Sequence, residues 1–279
     1  MNILFRADSS SHIGTGHIMR DLVLAKEYKD TNITFASQDL DGNINHKVVE
    51  AGYKVKLLKS NNVDEVIKLV KKLKIDLLVI DNYDIDYKYE KKLKKATKVK
   101  ILSFDDTYEK HHCDILLNHN IYAKKKKYKN LVPKKCELRC GVKYTLLRNE
   151  FIKAKEKNYE KSKKFTVFVA MGGADTANLN IDILKALKNF KNLKVHLVTT
   201  DANKNLTQLK KYTKNKKNIK LHINSKKIAK LMAKSHLAIV TPSVVLNEIY
   251  FMQIPFFVIQ TAQNQNYMVE YIKKKCIVN

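Results

Sequence analysis

Short β-rich runs alternate with helical stretches along the sequence, and this alternation constrains the fold more than any other feature. Residues 75–80 (IDLLVI) are almost entirely apolar, as expected for a strand that is covered on both faces. Residues 63–73 place apolar side chains, including Val66, Ile67 and Val70, at helical spacing. The repeated order of strand and helix predicts an α/β fold, with a mostly parallel sheet and helices on both sides.

The pattern is interrupted once, and this break predicts two domains. Residues 153–164 are charged and carry few apolar side chains, which is typical of a solvated linker. The strand pattern begins again at residues 165–171 (FTVFVAM). We therefore expect one Rossmann-like domain over residues 1–152 and a second over residues 165–279, and a length of 279 residues fits two domains.

The basic charge is large but is dispersed along the chain. Lysine and arginine number 54 against 27 acidic residues, for a formal net charge of +27, yet only four of these basic residues are arginine. Base-reading proteins rely on arginine for bidentate contacts, so no nucleic-acid partner is expected. A solvated lysine-rich surface is the favoured explanation. A membrane or nucleic-acid surface and steering of an anionic small substrate are the alternatives.

The apolar runs and the cysteines indicate the cellular setting. The apolar runs are only as long as strands, so neither a signal peptide nor a membrane span is predicted. The four cysteines form no CxxC motif, and a chain of this length does not need a disulfide framework. These features predict a cytoplasmic protein in a reducing compartment.

A glycine-containing loop follows the first predicted strand and leads into a helix. It reads DSSSHIGTGH, and Gly14 and Gly16 allow a ligand to approach the backbone closely. A dinucleotide fingerprint would need a third glycine where Met19 stands, so NAD is not expected. His17 lies at the helix start, where the helix dipole disfavours the imidazolium ion. A general base and a capping or core histidine both fit this position.

Two segments of the second half also follow predicted strands, at the edge where open α/β sheets bind ligands. Gly172, Gly173 and Ala174 form either a phosphate-binding turn or an ordinary strand-to-helix turn. Ser243 is placed to begin a helix, and Glu248 on that helix is either a ligand for ribose hydroxyls or a surface side chain.

Acidic residues and possible metal ligands occur in the first half as well. Asp81 and Tyr83 follow the strand at residues 75–80, where they either face a ligand or simply end the strand. The neighbouring Asp105 and Asp106 are not expected to act as a dyad, because adjacent strand residues point to opposite faces. The histidines and cysteines between residues 111 and 140 match no tetrahedral zinc spacing, so no metal site is predicted.

Several segments, taken in order across nearly the whole chain, resemble one family. They are DSSSHIGTGHIMRDLVLA, IDNYDI, ILSFDD, HHCDILLN, LRCGVKYTLLR, VAMGGAD, IAKLMAKSHLAIVTPSVVLNE and an NQN segment. The ordered set resembles the UDP-2,4-diacetamido-2,4,6-trideoxy-β-L-altropyranose hydrolases of pseudaminic acid biosynthesis, which are relatives of the GT-B glycosyltransferases. The resemblance implies a GT-B-like fold, with two Rossmann-like domains facing a cleft.

The resemblance also implies roles for individual residues. His17, in the pattern GxGHxxR, would be the general base. Arg20, in the same pattern, is an implied substrate-binding residue. The other implied substrate-binding residues are Gly14 and Gly16 near the sugar and phosphates, Tyr83 at the sugar, Gly172, Gly173 and Ala174 at the UDP diphosphate, Ser243 at a phosphate, Glu248 at the uridine ribose, and Asn264 and Gln265 over the sugar.

The implied reaction is hydrolysis of a UDP-sugar. Water would attack the anomeric carbon with inversion while His17 takes its proton, in a monomer that needs no metal ion and no cofactor. Two alternatives remain at this point. One is a glycosyltransferase of the same architecture that uses a UDP-sugar donor, and the other is a non-catalytic protein that binds polyanions through its basic charge.

Overall fold

The computed structural model describes residues 1–275 and divides into two compact units. The first unit comprises Met1–Leu146, and the second begins at Leu147. The last residues of the second predicted domain, 276–279, lie outside the described part of the chain.

The first unit is built around a sheet of seven parallel strands. In chain order they are β1 (Asn2–Ala7), β2 (Asn32–Gln38), β3 (Lys54–Leu58), β4 (Leu77–Asp81), β5 (Lys100–Phe104), β6 (Ile115–Asn118) and β7 (Glu137–Cys140). The helices are α1 (Gly16–Ala25), α2 (Asn45–Glu50), α3 (Val63–Lys72) and α4 (Tyr87–Thr97), with short 3-10 helices at Lys125–Tyr128 and Val142–Tyr144.

The strand order in this sheet is β3-β2-β1-β4-β5-β6-β7, so the chain reverses its direction of travel across the sheet between β1 and β4. All of these strand pairs are parallel. A reversal of this kind opens a crevice at the carboxyl ends of the two strands, where ligands of α/β proteins bind.

Burial on both faces explains why the central strands are almost continuously apolar. Ile3 and Phe5 of β1 pack into one core cluster, whereas Leu4 between them packs into a second cluster. In β4, Val79 joins the first cluster and Leu78 the second. Because successive side chains of a strand point to opposite faces, each face of the sheet has a separate core under its own helices.

The second unit repeats the plan with five parallel strands in the order β10-β9-β8-β11-β12. The strands are β8 (Thr166–Ala170), β9 (Lys194–Thr199), β10 (Ile219–Ile223), β11 (Leu237–Val240) and β12 (Phe256–Val258). The helices are α5 (Asn149–Glu156), α6 (Asn180–Leu187), α7 (Leu206–Thr213), α8 (Ile228–Ala233), α9 (Val244–Met252) and α10 (Asn266–Lys275). The prediction of an α/β fold with two Rossmann-like sheets is confirmed.

The predicted linker at residues 153–164 begins inside a helix of the second unit. Phe151 and Ala154 of α5 are buried, and α5 packs against α8 and α9. The charged residues between and after them face solvent. Because α5 buries only a narrow apolar stripe, its sequence is mostly charged. The compact second unit therefore starts at Leu147 and not after the charged run.

Within residues 1–275, no helix combines the length and the apolar character needed to cross a bilayer.

The packing of α5 can be tested with neighbouring substitutions. Phe151→Ala removes a side chain with 0% exposure and should lower the free energy of unfolding by about 3–5 kcal/mol. Ile152→Ala alters a 40% exposed neighbour and should cost less than about 1 kcal/mol. Urea unfolding followed by circular dichroism measures both values. Equal effects of the two substitutions would contradict the burial of Phe151.

Candidate functional site

The site in the first unit lies at the carboxyl ends of β1 and β4, the two strands between which the sheet order reverses. The loop that follows β1 leads into α1, and Asp81 is the last residue of β4. The two strands are in register with Ala7 opposite Asp81. Strand pairing therefore places the loop after β1 directly beside the carboxylate that ends β4.

A buried ion pair holds this edge of the sheet together. The Arg6 guanidinium donates to Asp8 Oδ2 at 2.7 Å, and the two side chains are 0% and 2% exposed. Asp8 also accepts hydrogen bonds from the Gln38 backbone N–H at 2.7 Å and from Asn82 Nδ2 at 2.9 Å. One carboxylate thus connects the ends of β1, β2 and β4.

The loop between β1 and α1 is closed by its own hydrogen bonds. The Gly14 N–H donates to the Ser10 carbonyl at 2.8 Å, and Ser10 Oγ accepts from the Ile13 N–H at 2.9 Å. Gly14 has φ +85°, a conformation that strains any residue with a Cβ, although open space surrounds the position. This turn starts α1 at Gly16, so that His17 lies in its first turn.

His17, Arg20 and Asp81 form a compact buried cluster. His17 Nδ1 lies 2.7 Å from Asp81 Oδ1, and Arg20 Nε donates to Asp81 Oδ2 at 2.6 Å. A second nitrogen of Arg20, Nη2, donates to Asp81 Oδ1. The three side chains are 8%, 5% and 2% exposed, so their charges interact with little solvent between them.

The Asp81 carboxylate favours one tautomer of His17. Nδ1 has this anionic acceptor at 2.7 Å, whereas Arg20 Nη2 lies farther away, at 3.2 Å. The shorter contact to a full negative charge favours Nδ1–H as donor, which leaves Nε2 with its lone pair. Burial opposes the ionisation of Asp81, but Arg20 and His17 hold the pKa of its carboxyl well below the usual value.

Two further buried ionisable groups surround this cluster. Asp21, one turn after His17 on α1, is 0% exposed, and burial together with the Asp81 carboxylate raises the pKa of Asp21 well above its usual value. Burial, and to a lesser extent the Arg20 charge, lowers the pKa of His119 to about 3. His119 is therefore neutral near pH 7, and it packs edge-on against Phe104 in the interior.

Tyr83 and Asp106 extend the cluster to the surface. The Tyr83 ring meets the His17 ring edge-on, with centroids 4.8 Å apart. The Tyr83 hydroxyl donates to Asp106 Oδ2 at 2.7 Å, and Arg20 Nη1 lies 3.3 Å from the same oxygen. Of the predicted residues, the first unit thus brings His17, Arg20 and Tyr83 together beside the loop that carries Gly14 and Gly16.

The histidine-rich segment after β5 forms a structural network. Glu90, which is 0% exposed, accepts hydrogen bonds from Ser103 Oγ at 2.6 Å and from His111 Nδ1 at 2.9 Å, and His111 Nε2 lies 3.9 Å from Asp105 Oδ1. Burial opposes the charge, but Asp105 and Glu90 raise the pKa of His111 to about 10. Among the described residues, no group of three or more histidine, cysteine or acidic side chains is arranged to hold a metal ion.

In the second unit, the turn after β8 is held by side chains and by backbone. Gly172 has φ +82°, and the Gly173 carbonyl accepts hydrogen bonds from Thr199 Oγ1 at 3.0 Å and from Thr200 Oγ1 at 2.9 Å. Ala174 is buried. The buried Asp175 carboxylate accepts hydrogen bonds from the N–H groups of Leu179 and Asn180. These N–H groups at the start of α6 are therefore already paired within the protein.

The N-terminus of α9 is free of such a side-chain cap. Ser243 stands at the capping position, but its side chain makes no capping hydrogen bond, and its Oγ lies 3.1 Å from Thr241 Oγ1. Glu248, on the same helix, is 3% exposed. Its carboxylate accepts hydrogen bonds from Nε and Nη2 of Arg148, at 2.8 and 3.1 Å, so the contact is bidentate. Burial raises the pKa of Glu248 although Arg148 opposes this shift.

Asn264 and Gln265 lie in a 3-10 helix, Gln263–Gln265, before α10. Gln265 Oε1 accepts the Thr261 N–H at 2.8 Å, and its Nε2 donates to Thr261 Oγ1 at 3.2 Å. The Gln265 amide thus fixes the shape of its own loop, whereas Asn264 is exposed.

Arg148 was not among the predicted site residues, and for Asp81 the sequence left open whether it faces a ligand or only ends its strand, although the sequence carries a signal for both. Lysine is far more common than arginine in this chain. Three of its four arginines, Arg6, Arg20 and Arg148, have a buried carboxylate partner. Because arginine suits bidentate pairing with a carboxylate, its rare use in a lysine-rich sequence marks such pairs.

Comparisons with known proteins give close relatives as well as more distant structural matches. No protein-family model matches the chain. The chain is 44% identical over 275 residues to the UDP-2,4-diacetamido-2,4,6-trideoxy-β-L-altropyranose hydrolase of Campylobacter jejuni subsp. jejuni serotype O:2, and the match covers 99% of this chain and 97% of that protein.

Two solved structures share the fold at much lower identity. MurG of Acinetobacter baumannii matches with a TM-score of 0.62 at 9% identity, over 98% of this chain and 83% of MurG. Anabaena HepE, in complex with UDP and glucose, matches with a TM-score of 0.60 at 13% identity, over 98% of this chain and 90% of HepE. These matches confirm the GT-B-like fold class.

The His111 network should make stability depend on pH. Because the folded-state pKa of His111, about 10, lies above its usual value of 6.5, its stabilising effect is complete below pH 6.5 and is lost as the pH rises towards 10. His111→Asn should therefore destabilise the protein most near pH 6 and least near pH 10, as measured by melting temperature across this range. His112→Asn, in the same loop, is the control. A constant difference between wild type and His111→Asn would contradict this assignment.

Proposed function

Since the chain belongs to the family of UDP-2,4-diacetamido-2,4,6-trideoxy-β-L-altropyranose hydrolases, we propose that it removes UDP from this sugar nucleotide by hydrolysis. This reaction belongs to pseudaminic acid biosynthesis. The observation that carries the mechanism is the 2.7 Å contact between His17 Nδ1 and Asp81 Oδ1 at the carboxyl edge of β1 and β4.

His17 acts as the general base. With Nδ1–H donating to Asp81, Nε2 is the nitrogen that accepts a proton from the attacking water. The Asp81 carboxylate then stabilises the imidazolium ion that forms, as the aspartate of a catalytic triad does. Asp81 and Arg20 are positioning residues, because they act on the reaction through the orientation and charge of His17.

The displacement takes place in one step at the anomeric carbon. The water oxygen forms a bond to this carbon as the bond to the UDP oxygen breaks, and the bonding electrons leave with UDP. The proton of the water goes to His17. Because attack comes from the face opposite to UDP, the configuration at the anomeric carbon is inverted. No covalent intermediate with the protein is needed.

The second unit binds UDP through loops at the carboxyl ends of its strands. The N-terminus of α9 at Ser243 offers N–H groups without a side-chain cap, and its partial positive charge favours a phosphate. The turn at Gly172, Gly173 and Ala174 contributes backbone N–H groups to the diphosphate. Together they stabilise the negative charge that develops on UDP as it leaves.

Glu248 binds the ribose of the uridine through the lone pairs of its carboxylate that the contact with Arg148 does not use. A carboxylate has about four lone-pair positions, and the bidentate contact with Arg148 uses two of them. Arg148 thereby holds Glu248 in one orientation. Tyr83 contacts the sugar next to His17, and Asn264 and Gln265 cover the sugar from the loop before α10. The enzyme works as a monomer.

Substitution of the base tests this mechanism directly. His17→Asn should lower kcat for UDP release by roughly 10²–10⁴-fold with little change in KM, because the base acts in the transition state and contributes little to substrate affinity. His46→Asn, at an exposed position of the same unit, is the matched control and should keep wild-type turnover. A His17→Asn protein with turnover near that of wild type would rule out His17 as the base.

Isotope and stereochemical analysis tests where the water attacks. In water enriched in oxygen-18, without any sugar acceptor, the label should enter the free sugar and be absent from UDP. Proton NMR should show a first-formed sugar whose anomeric configuration is opposite to that of the substrate. Label in the nucleotide would indicate attack on phosphorus, and UDP release only when an acceptor is added would indicate a glycosyltransferase.

A further inference from the structure

Two thiols of the first unit face each other in front of neighbouring strands. Cys113 lies just before β6 and Cys136 just before β7, and their Sγ atoms are 3.7 Å apart. We propose that Cys113 and Cys136 are a site of reversible oxidation, at which a low-molecular-weight disulfide converts the two thiols into an intramolecular disulfide. This proposal is independent of the proposed hydrolase activity.

The backbone already holds the two residues in a position from which the bond can form. Strands β6 and β7 are parallel neighbours with Ile115 opposite Glu137, and the Glu137 N–H donates to the Asp114 carbonyl at 2.9 Å. A disulfide has an S–S distance of about 2.05 Å, so the sulfurs need to approach by less than roughly 2 Å, which side-chain rotation can supply.

The two thiols differ in exposure and in pKa. Cys136 suits the attack on the small disulfide, and Cys113 suits the second step, in which the protein disulfide closes. Cys136 is partly exposed. Its hydrogen bond with Cys113 and a backbone hydrogen bond with Leu116 lower the pKa of the Cys136 thiol, although partial burial opposes this shift. Cys113 is 4% exposed, and its hydrogen bond to Cys136, together with burial, raises the pKa of the Cys113 thiol. Accessible cysteines of low pKa beside a resolving cysteine are the ones that oxidise reversibly.

The exchange proceeds in two balanced steps. The Cys136 thiolate attacks one sulfur of the small disulfide, a mixed disulfide forms on Cys136, and one small thiolate leaves. The Cys113 sulfur then attacks Cys136 Sγ, gives up its proton to solvent and releases the second small molecule as a thiolate, which takes up a proton from solvent. In the mixed disulfide, Cys136 is no longer a thiolate. The hydrogen bond that contributed most to the raised pKa of Cys113 is therefore lost before Cys113 has to react.

Cys140 provides a matched control within the same part of the fold. It is also partly buried, but burial raises its pKa to about 11, so its thiolate is scarce at neutral pH. Cys140 is the last residue of β7, at the opposite end of this short strand from Cys136. A general sensitivity of cysteines to oxidants would affect Cys140 together with the pair, whereas the proposed chemistry leaves it reduced.

The experiment uses the full-length chain and glutathione. Wild type, Cys113→Ser, Cys136→Ser and Cys140→Ser proteins are equilibrated in buffers with increasing ratios of oxidised to reduced glutathione, quenched with acid and alkylated with N-ethylmaleimide. Intact-mass and peptide mass spectrometry then locate the free, linked and glutathione-modified cysteines. Circular dichroism verifies that each variant is folded.

In wild type and Cys140→Ser, Cys113 and Cys136 should lose reactivity together and appear in one cross-linked peptide that dithiothreitol separates. In Cys113→Ser, the reaction should stop with glutathione on Cys136. In Cys136→Ser, oxidation of Cys113 should need a ratio of oxidised to reduced glutathione at least tenfold higher than in wild type. Full alkylation of both cysteines in every buffer would overturn the proposal, as would a cross-link through Cys140 or Cys276 in place of this pair.

Discussion

The Asp81 carboxylate is the group on which the first unit's site depends. It ends a strand that is buried on both faces, and it binds the imidazole of His17 and the guanidinium of Arg20 from the adjoining helix. Without this charge, Arg20 would keep only its 3.3 Å carboxylate contact with Asp106, and the His17 imidazole would lose its acceptor, which is costly in the interior. One contact therefore joins strand to helix, neutralises Arg20 and selects the tautomer of His17 that leaves Nε2 as a base.

Both units use the same arrangement of charges at their candidate site residues. In each, a buried carboxylate is oriented by a bidentate arginine, Asp81 by Arg20 and Glu248 by Arg148. Buried ion pairs contribute little net stability once desolvation is counted, but they fix geometry well. Lysine makes up most of the remaining basic charge and lies largely at the surface, where single ion pairs contribute little.

Features that depend on neighbouring residues were predicted from the sequence more accurately than features that depend on contacts between distant residues. The strand at residues 75–80 was predicted because burial on both faces leaves an almost continuous apolar run. The beginning of the second unit was placed too late, because Phe151 and Ala154 give α5 only two buried positions among charged neighbours. His17, Arg20 and Tyr83 were predicted as site residues, and the structure brings them together, although the role of each in the reaction rests on the proposed function.

The sequence alone determined the α/β class and the loops that can meet a ligand, because periodicity, glycines and strand ends are local patterns. Only the tertiary structure determined which ionisable side chains pair with each other. His17 and Asp81 are 64 residues apart and Arg148 and Glu248 are 100 residues apart, so their pairing depends on strand order and register. Strand pairing also brings the sulfurs of Cys113 and Cys136 together, because β6 and β7 are neighbours in the sheet. The spacing of the two cysteines in the sequence does not reveal this pairing. Such contacts arise when separate segments pack around a shared core, and no local pattern encodes them.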